Sequence, residues 1–225
     1  YIRIGSFGAT TYAEFMKAVD TLQTQGMRDL IIDLQENGGG YLQAAVKIIE
    51  EFLQKKDLIV YTEGRAQRRM EYRATGNGRL TKGKVYVLVN EYSAAAAEIL
   101  AGARQDQDRG TIIGRRSFGK GLVQQQIPFS DGSLIRLTIA RYYTPSGRCI
   151  QKPYVDGDDQ DYAQDLLERY QHGEYFSRDS IKHSGPAYHT RIGRVVYGGG
   201  GITPDIFVPE DTTGMTSYYK EAAMS

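Results

Sequence analysis

Lys120 lies between Gly119 and Gly121 in the segment RRSFGKGLVQ, where a lysine can approach other backbone without a bulky neighbour. A lysine acts as a general base when desolvation keeps its amine neutral. Gln124 follows four residues later and could hold that amine by a hydrogen bond. Along a straight strand the two residues would be about 13 Å apart, so the pairing requires the glycines to bend the chain. Lys120 is therefore a candidate base, and a solvated surface lysine is the alternative.

A second candidate element is the stretch EYSAAAAEIL, residues 91–100, which follows the apolar run KVYVLVN. Ala94 to Ala97 fall in the first turn of a predicted helix, where backbone N–H groups lack intrahelical partners and favour developing negative charge. Such a turn suits a nucleophile, yet none of the four alanines carries one. Ser93 is the nearest hydroxyl, and it is well placed as a helix N-cap.

Two glycine-rich turns follow predicted strands, at Gly38 to Gly40 and at Gly198 to Gly201. Each could be a tight turn that needs positive φ. The first could instead present N–H groups to a ligand as an oxyanion hole, because it joins a strand end to a helix. The spacings GxGxxG and GxxxxGK are missing there, which argues against phosphate binding.

The elements that must position these residues alternate between strand and helix, which indicates an α/β domain with mainly parallel pairing. Right-handed crossovers then bring the loops after the strand C-termini to one side. We predict a first helix from a Thr11/Glu14 capping box to about Gln25, and two paired strands across DLIVYTEG and RAQRRMEYRA. The other predicted strands are YIRIGSF, RDLIIDL, KVYVLVN, TIIGRRS and SLIRLTIARYYT, and the other predicted helices are YLQAAVKIIEEFLQ and AAAAEILAGARQD.

A polar, charged segment from about Pro153 to Arg191 interrupts this pattern. It contains one amphipathic stretch near Tyr162 to Tyr170, and we predict a partly helical surface insertion. The chain then continues with RVVYGGGGITPDIFVP, for which we predict two strands that re-enter the core sheet.

Composition excludes several classes of function. The chain has 225 residues, 40% of them hydrophobic, which suits one large domain, and its formal net charge of +1 gives no reason to expect nucleic acid as a partner. The chain contains no run of about 18 apolar residues that would predict a membrane span, and its N-terminus does not resemble a signal peptide. Because the chain does not begin with Met, we expect it to be a piece of a longer protein. The single Cys149 and three scattered histidines predict neither a disulfide nor a metal site, and Cys149 is expected to be structural.

Four segments together resemble the catalytic domain of the C-terminal processing (tail-specific) serine peptidases: ENGGGYL, VNEYSAAAAEILAGARQDQDRG, IIGRRSFGKGLVQ and YYTPSGRCIQ. The resemblance covers most of the chain and implies a β/α spiral core of the ClpP/crotonase type over residues 1–225. It also implies a serine nucleophile, a lysine base, no cofactor and a polypeptide substrate. An edge strand near the site could bind that substrate as an extended strand by strand addition. A PDZ domain gates substrate entry in that family, and none is found in this chain.

The family pattern can be carried over position by position. Its nucleophile stands three residues before the helix-opening glutamate, here Glu98, and its base follows about 25 residues later. The two counts give position 95, which is Ala, and Lys120. The pattern also implies a supporting glutamine at Gln124 and oxyanion donors at the amides of Gly40 and Ala96.

Three explanations account for Ala95: an engineered replacement of serine, a naturally inactive relative, or a shifted register with Ser93 as nucleophile. The functional hypotheses are accordingly an inactivated serine endopeptidase, a peptide-binding pseudoenzyme, and an acyl-CoA enzyme of crotonase type. The last would need a carboxylate or tyrosine acid/base at the turns. The resemblance further implies a periplasmic or exported, membrane-facing location.

Overall fold

The computed structural model describes residues 1–153, 161–183, 185–213 and 216. The α-helices of this part of the chain are Thr11–Thr24 (α1), Leu42–Glu50 (α2), Ala96–Asp106 (α3) and Asp161–Gln171 (α4), and a short 3-10 helix spans Arg178–Ser180. Its strands are Ile2–Arg3 (β1), Leu30–Asp33 (β2), Leu58–Glu63 (β3), Met70–Arg73 (β4), Val85–Val89 (β5), Thr111–Gly114 (β6), Leu122–Pro128 (β7), Leu134–Tyr143 (β8), Ala187–His189 (β9), Val195–Tyr197 (β10) and Ile206–Phe207 (β11).

The centre of the molecule is a five-stranded sheet in the order β1-β2-β5-β6-β11, and every pair of neighbours is parallel. Its strands bury apolar side chains such as Ile32, Val87 and Ile112, against which the three helices α1, α2 and α3 supply further buried residues. Continuous burial of short apolar strands is what a parallel sheet covered by helices requires. The predicted α/β class with parallel strands is therefore confirmed.

A second sheet has four strands in the order β4-β3-β8-β7, all antiparallel. The predicted pairing of the strands across residues 57–74 is confirmed by β3 and β4. Strand β7 was not predicted, because it begins directly after the glycines that flank Lys120 and its residues are polar in the middle. Together β7 and β8 form a long hairpin with β7 at the edge of the sheet.

Two local predictions were wrong although the elements themselves form. Helix α1 begins at Thr11 as predicted, but no side chain caps it, because the Thr11 hydroxyl accepts from the Gly8 amide and donates to the Ser6 carbonyl. Of the two strands predicted to re-enter the core sheet, only β11 does so, beside β6. Strand β10 instead pairs with β9 in a separate antiparallel ribbon.

The segment predicted as a surface insertion contains the expected helix, α4, but it is also packed into the body of the protein. Arg169 and Glu174 are buried and form an ion pair, and Arg169 donates to the carbonyl groups of Arg116 and Ser117. Tyr175 is buried as well. Residues 154–160 and 184 of the predicted insertion lie outside the described residues.

Arg104 on α3 is a buried cation that no carboxylate neutralises within the described part of the chain. Its side chain is almost fully buried, and its Nε and Nη1 atoms have no hydrogen-bond partner there. The guanidinium lies over the Phe52 ring, 4.4 Å from the centroid. Burial lowers the pKa of Arg104 to about 9, with a smaller contribution from the neighbouring Arg109 charge. The group therefore still carries its charge at neutral pH, where its desolvation cost is present in full.

We expect Arg104→Met to stabilise the protein by about 1 to 4 kcal/mol, because Met removes the buried charge and keeps most of the apolar volume. The lost contact with the Phe52 ring offsets up to about 2 kcal/mol of this gain. Urea unfolding at pH 7 measures the difference. The exposed Arg28→Met is the matched control and should leave the midpoint nearly unchanged. A lower midpoint for Arg104→Met than for the parent chain would contradict this account.

Candidate active site

Two loops meet at the C-terminal edge of the parallel sheet, because β2 and β5 are neighbours and each is followed by one of them. The loop after β2 contains Gly38 to Gly40, and the loop after β5 contains Ala94 and Ala95. The Ala94 amide donates to the Asn37 carbonyl at 2.8 Å. A Cβ atom on Gly39 would lie 2.7 Å from the Ala95 Cβ atom, so only glycine fits there. The glycine turn is therefore a site of close backbone approach.

Ala95 occupies an unusual backbone conformation at the start of α3. It is the N-cap residue, with φ 49° and ψ −109°. A residue with a Cβ atom in this region costs on the order of 1 to 3 kcal/mol, and such strain persists where the surroundings impose it. Its side chain is partly exposed, whereas Ala94 and Ala96 on either side of it are buried. Position 95 therefore presents its side chain outward at a strained strand-to-helix turn.

Glu98 ties this turn to the Lys120 segment. Its carboxylate accepts four hydrogen bonds. Oε1 accepts from the Ser117 hydroxyl and the Gly119 amide, and Oε2 from the Ala95 and Lys120 amides, over donor–acceptor distances of 2.5 to 2.9 Å. The side chain is fully buried, and burial raises the pKa of Glu98 although the four donors act in the opposite direction. In the sequence, Glu98 is recognisable only by its spacing from position 95. That spacing matches a capping box. Its contacts with residues 117–120 could not be predicted, because nothing in the sequence near Glu98 indicates them.

The glycines beside Lys120 allow close backbone contact, as predicted. A Cβ atom on Gly121 would lie 2.5 Å from the Gln151 amide nitrogen, and Gly119 has φ +90°.

Lys120 itself is partly exposed and lines a cleft of about 600 Å³, here called the Ala95 cleft. The cleft is also lined by Ala95, Gln124, Gly40 and Ala96, so all five residues singled out in the sequence meet in one place. Gln124 is exposed on β7, and no hydrogen bond joins it to Lys120 among the described residues.

The amides of Gly40 and Ala96 are available as donors. The Phe7 amide donates to the Gly39 carbonyl, and the Phe7 carbonyl accepts from the Tyr41 amide. In this parallel bridge the Gly40 N–H therefore points away from Phe7. Ala96 is the first residue of α3, where the amide has no intrahelical acceptor. Within the described part of the chain neither amide donates a hydrogen bond. The pair can therefore donate to a negative oxygen in the cleft.

We expect Gly40→Ala to destabilise the protein by about 2 to 5 kcal/mol, since the new Cβ atom adds overpacking to backbone strain. That atom would lie 2.2 Å from the Phe7 carbonyl oxygen, and Gly40 has φ +137°. Thermal unfolding measures the loss. Gly38→Ala is the control from the same turn, because a Cβ atom there meets nothing within 4 Å. Equal melting temperatures for the two variants would show that the turn does not require glycine at position 40.

Ser93 does not fit the role of an alternative nucleophile. It is fully buried, and its hydroxyl donates to the Leu34 carbonyl at 2.8 Å and accepts from the Asn90 amide. The expectation that Ser93 caps the helix is also wrong, because the N-cap position is Ala95. Ser93 instead ties the loop after β5 to the end of β2.

Other reactive groups lie away from the Ala95 cleft. His172, His183 and His189 do not line it. Burial raises the pKa of the Cys149 thiol, which disfavours the reactive thiolate and agrees with a structural role. Among the described residues, no group of three or more His, Cys, Asp or Glu side chains could hold a metal ion. In the same part of the chain, no helix has the length and apolar character to cross a bilayer.

Comparison with known proteins gives a consistent result. A sequence model of the family described as Peptidase family S41 matches residues 1–160. The chain is 42% identical over 152 residues to a carboxyl-terminal-processing protease of Synechocystis sp., covering 68% of the chain and 35% of that protein. It is 39% identical over 158 residues to a chloroplastic C-terminal processing peptidase of Tetradesmus obliquus, covering 70% of the chain and 34% of that protein. The chain thus spans about a third of the length of these relatives.

Solved structures show the same fold. A photosystem II D1 C-terminal processing protease superimposes with a TM-score of 0.65 at 28% identity, over 99% of this chain and 46% of that one. An S41 protease structure from Bacteroides fragilis has a TM-score of 0.59 at 16% identity, over 97% of this chain and 51% of that one. At that identity the second comparison supports the fold alone.

Proposed function

Because the chain belongs to peptidase family S41, whose C-terminal processing members are serine proteases, we propose that it is the catalytic portion of a serine endopeptidase. Its proposed substrates are unstructured or C-terminal polypeptide segments. The observation that carries the proposal is the meeting of Ala95, Lys120 and the backbone amides of Gly40 and Ala96 in one cleft. This set matches the nucleophile, base and oxyanion positions of an acyl-transfer site.

With serine at position 95, the proposed reaction has two steps. Neutral Lys120 takes the hydroxyl proton while the oxygen attacks the scissile carbonyl, and the resulting oxyanion accepts from the Gly40 and Ala96 amides. The lysine then gives its proton to the leaving amine, which departs as the acyl-enzyme forms. In the second step the lysine activates water to release the acid. Histidine has no role in this scheme, which suits a cleft without one.

With alanine at position 95, the proposed state of this chain is catalytically inactive, because the methyl group keeps the fold of the turn and removes the attacking oxygen. A second candidate function follows from the same residue, namely a naturally inactive peptide-binding relative. The inactivated peptidase and the naturally inactive relative differ in whether the natural gene encodes serine or alanine at position 95. The periplasmic or exported location and the PDZ-gated entry implied by the family stay predictions.

The substrate is proposed to bind as an extended strand along β7. This strand forms one edge of the antiparallel sheet, and among the described residues no strand pairs with its outer side. Its residues Leu122, Gln124, Gln125 and Gln126 line the Ala95 cleft. An edge strand beside a reactive centre supports binding by strand addition, in which backbone hydrogen bonds give affinity without demanding one sequence.

The experiment that tests the proposed function is to incubate Ala95→Ser with an unfolded protein and follow the appearance of fragments. Cleavage by this variant alone supports the peptidase. Peptide binding without cleavage, in a variant shown to be folded, favours the binding protein instead.

A further inference from the structure

We propose that Arg136 forms a carboxylate-binding subsite in the Ala95 cleft and thereby selects polypeptides with a carboxylate at a fixed distance from the cleaved bond. This inference rests on the proposed peptidase function and adds a specificity determinant to it. Arg136 lines the same cleft as Lys120, although it belongs to a different strand. None of the described residues that line the cleft is Asp or Glu, so its charged groups are both cationic.

The register of the β7–β8 hairpin explains how Arg136 reaches the cleft. Arg136 is paired with Gln126, and Thr138 with Gln124. Residues directly opposite each other, and those two positions apart, lie on one face of a sheet. Arg136, Gln126 and Gln124 therefore share a polar face, and all three line the cleft.

The neighbouring pairs have a different character. Ile127 is paired with Ile135, and Leu137 with Gln125, so the opposite face of the hairpin is mainly apolar. Gln125, on the edge strand β7 itself, also lines the cleft, whereas the β8 residues Ile135 and Leu137 do not. The alternation of the two strands thus places the one arginine at the middle of the hairpin on the side where a substrate would pass.

Arg136 has hydrogen-bonding capacity that the described part of the chain does not use, since no ion pair or hydrogen bond involves its side chain there. Two arginines elsewhere in the protein show the pairing that Arg136 lacks among the described residues: Arg115 is paired with Glu91, and Arg116 with Glu174. A guanidinium group presents its donors in a fork that matches a carboxylate with two parallel bonds. The chemistry that suits Arg136 is therefore a carboxylate supplied by the bound polypeptide.

The distance along β7 sets the spacing. Gln126, opposite Arg136, lies six positions beyond Lys120, which corresponds to at most roughly 20 Å of chain, because the strand register shifts between Val123 and Gln124. A polypeptide bound along β7 would thus bring a residue about five or six positions from the cleaved bond next to Arg136. Its carboxylate could be an Asp or Glu side chain or the chain terminus, which share the same recognition chemistry.

The test measures binding of fluorescent peptides to the chain with Ala95, which cannot cleave them by the proposed reaction. Each peptide carries one apolar residue in the middle and a single Asp, whose position changes from one peptide to the next. Every peptide has a counterpart with Asn in place of Asp. Each is made with a free and with an amidated C-terminus. At one spacing we expect about 5- to 10-fold tighter binding of the peptide with the carboxylate. Arg136→Gln should abolish this preference. Arg141→Gln should keep it, because Arg141 is exposed on the same strand and does not line the cleft.

Loss of the preference on Asp→Asn exchange assigns the subsite to an acidic side chain, and loss on amidation assigns it to the chain terminus. If the peptides bind equally well with and without a carboxylate, or if Arg136→Gln keeps the preference, the subsite is refuted while peptide binding by the cleft stands. If no peptide binds to any folded variant, the proposed function fails together with the subsite.

Discussion

Ala95→Ser is expected to cleave an unfolded protein at least about 10⁴-fold faster than the chain with alanine, since removal of the nucleophile lowers kcat by about 10⁶-fold in a well-studied serine protease. The physical reason is that position 95 already presents its side chain into the cleft, beside Lys120 and the Gly40 and Ala96 amides. Only the attacking oxygen is missing. The measurement is the initial rate of fragment formation at matched concentrations of folded protein.

Two controls make this result specific. Ala94→Ser places the same hydroxyl one residue earlier, at a buried position that does not line the cleft, and should remain inactive. Lys120→Ala in the Ala95→Ser background removes the proposed base and should return the rate to near background. Equal rates for Ala94→Ser and Ala95→Ser would show that the hydroxyl position does not matter, which the account does not allow.

Glu98→Gln in the Ala95→Ser background is expected to lower kcat by about 10²-fold, because misplacement of reacting groups by about 1 Å costs on this order. The carboxylate oxygens accept from four donors, two of them the Ala95 and Lys120 amides. A carboxamide has one acceptor oxygen, and its NH₂ group would face two of these donors. Glu98 is thus a positioning residue that holds the nucleophile and base segments in one arrangement.

The split between kcat and KM distinguishes positioning from general support of the fold. Glu98→Gln should change kcat far more than KM, whereas loss of folded protein would lower the apparent rate without changing the specific kcat. Glu91→Gln is the matched control, since Glu91 is also buried and is paired with Arg115 outside the cleft. It should lower stability and leave kcat per folded molecule unchanged. An unchanged kcat for Glu98→Gln would contradict the positioning role.

The local parts of this site could be predicted from the sequence. The run KVYVLVN followed by four alanines specifies a strand-to-helix turn, and the glycines beside Lys120 indicate close backbone contact there. Both features depend on residues within a few positions of each other. For the same reason the α/β class and most of the elements follow from hydrophobic patterning.

Other features depend on contacts between distant segments and leave no local pattern. The four donors to Glu98 come from positions 95, 117, 119 and 120. Arg169 packs α4 against the loop after β6 by donating to the carbonyl groups of Arg116 and Ser117. Strand β7 forms beside β8 although its centre is polar, because the antiparallel ladder supplies its backbone hydrogen bonds. Similarly, the sequence RVVY forms a strand as predicted, but its partner β9 could not be identified from its own residues.

The most direct test of the central claim is covalent labelling of Ala95→Ser with a fluorophosphonate, followed by intact-mass and peptide mass spectrometry. We expect one adduct per chain, located at position 95, with no labelling of the chain that has alanine there and strongly reduced labelling when Lys120→Ala is added. An adduct located at Ser93 or Ser117, or no adduct on a folded Ala95→Ser chain, would contradict the assignment of position 95 as the nucleophile.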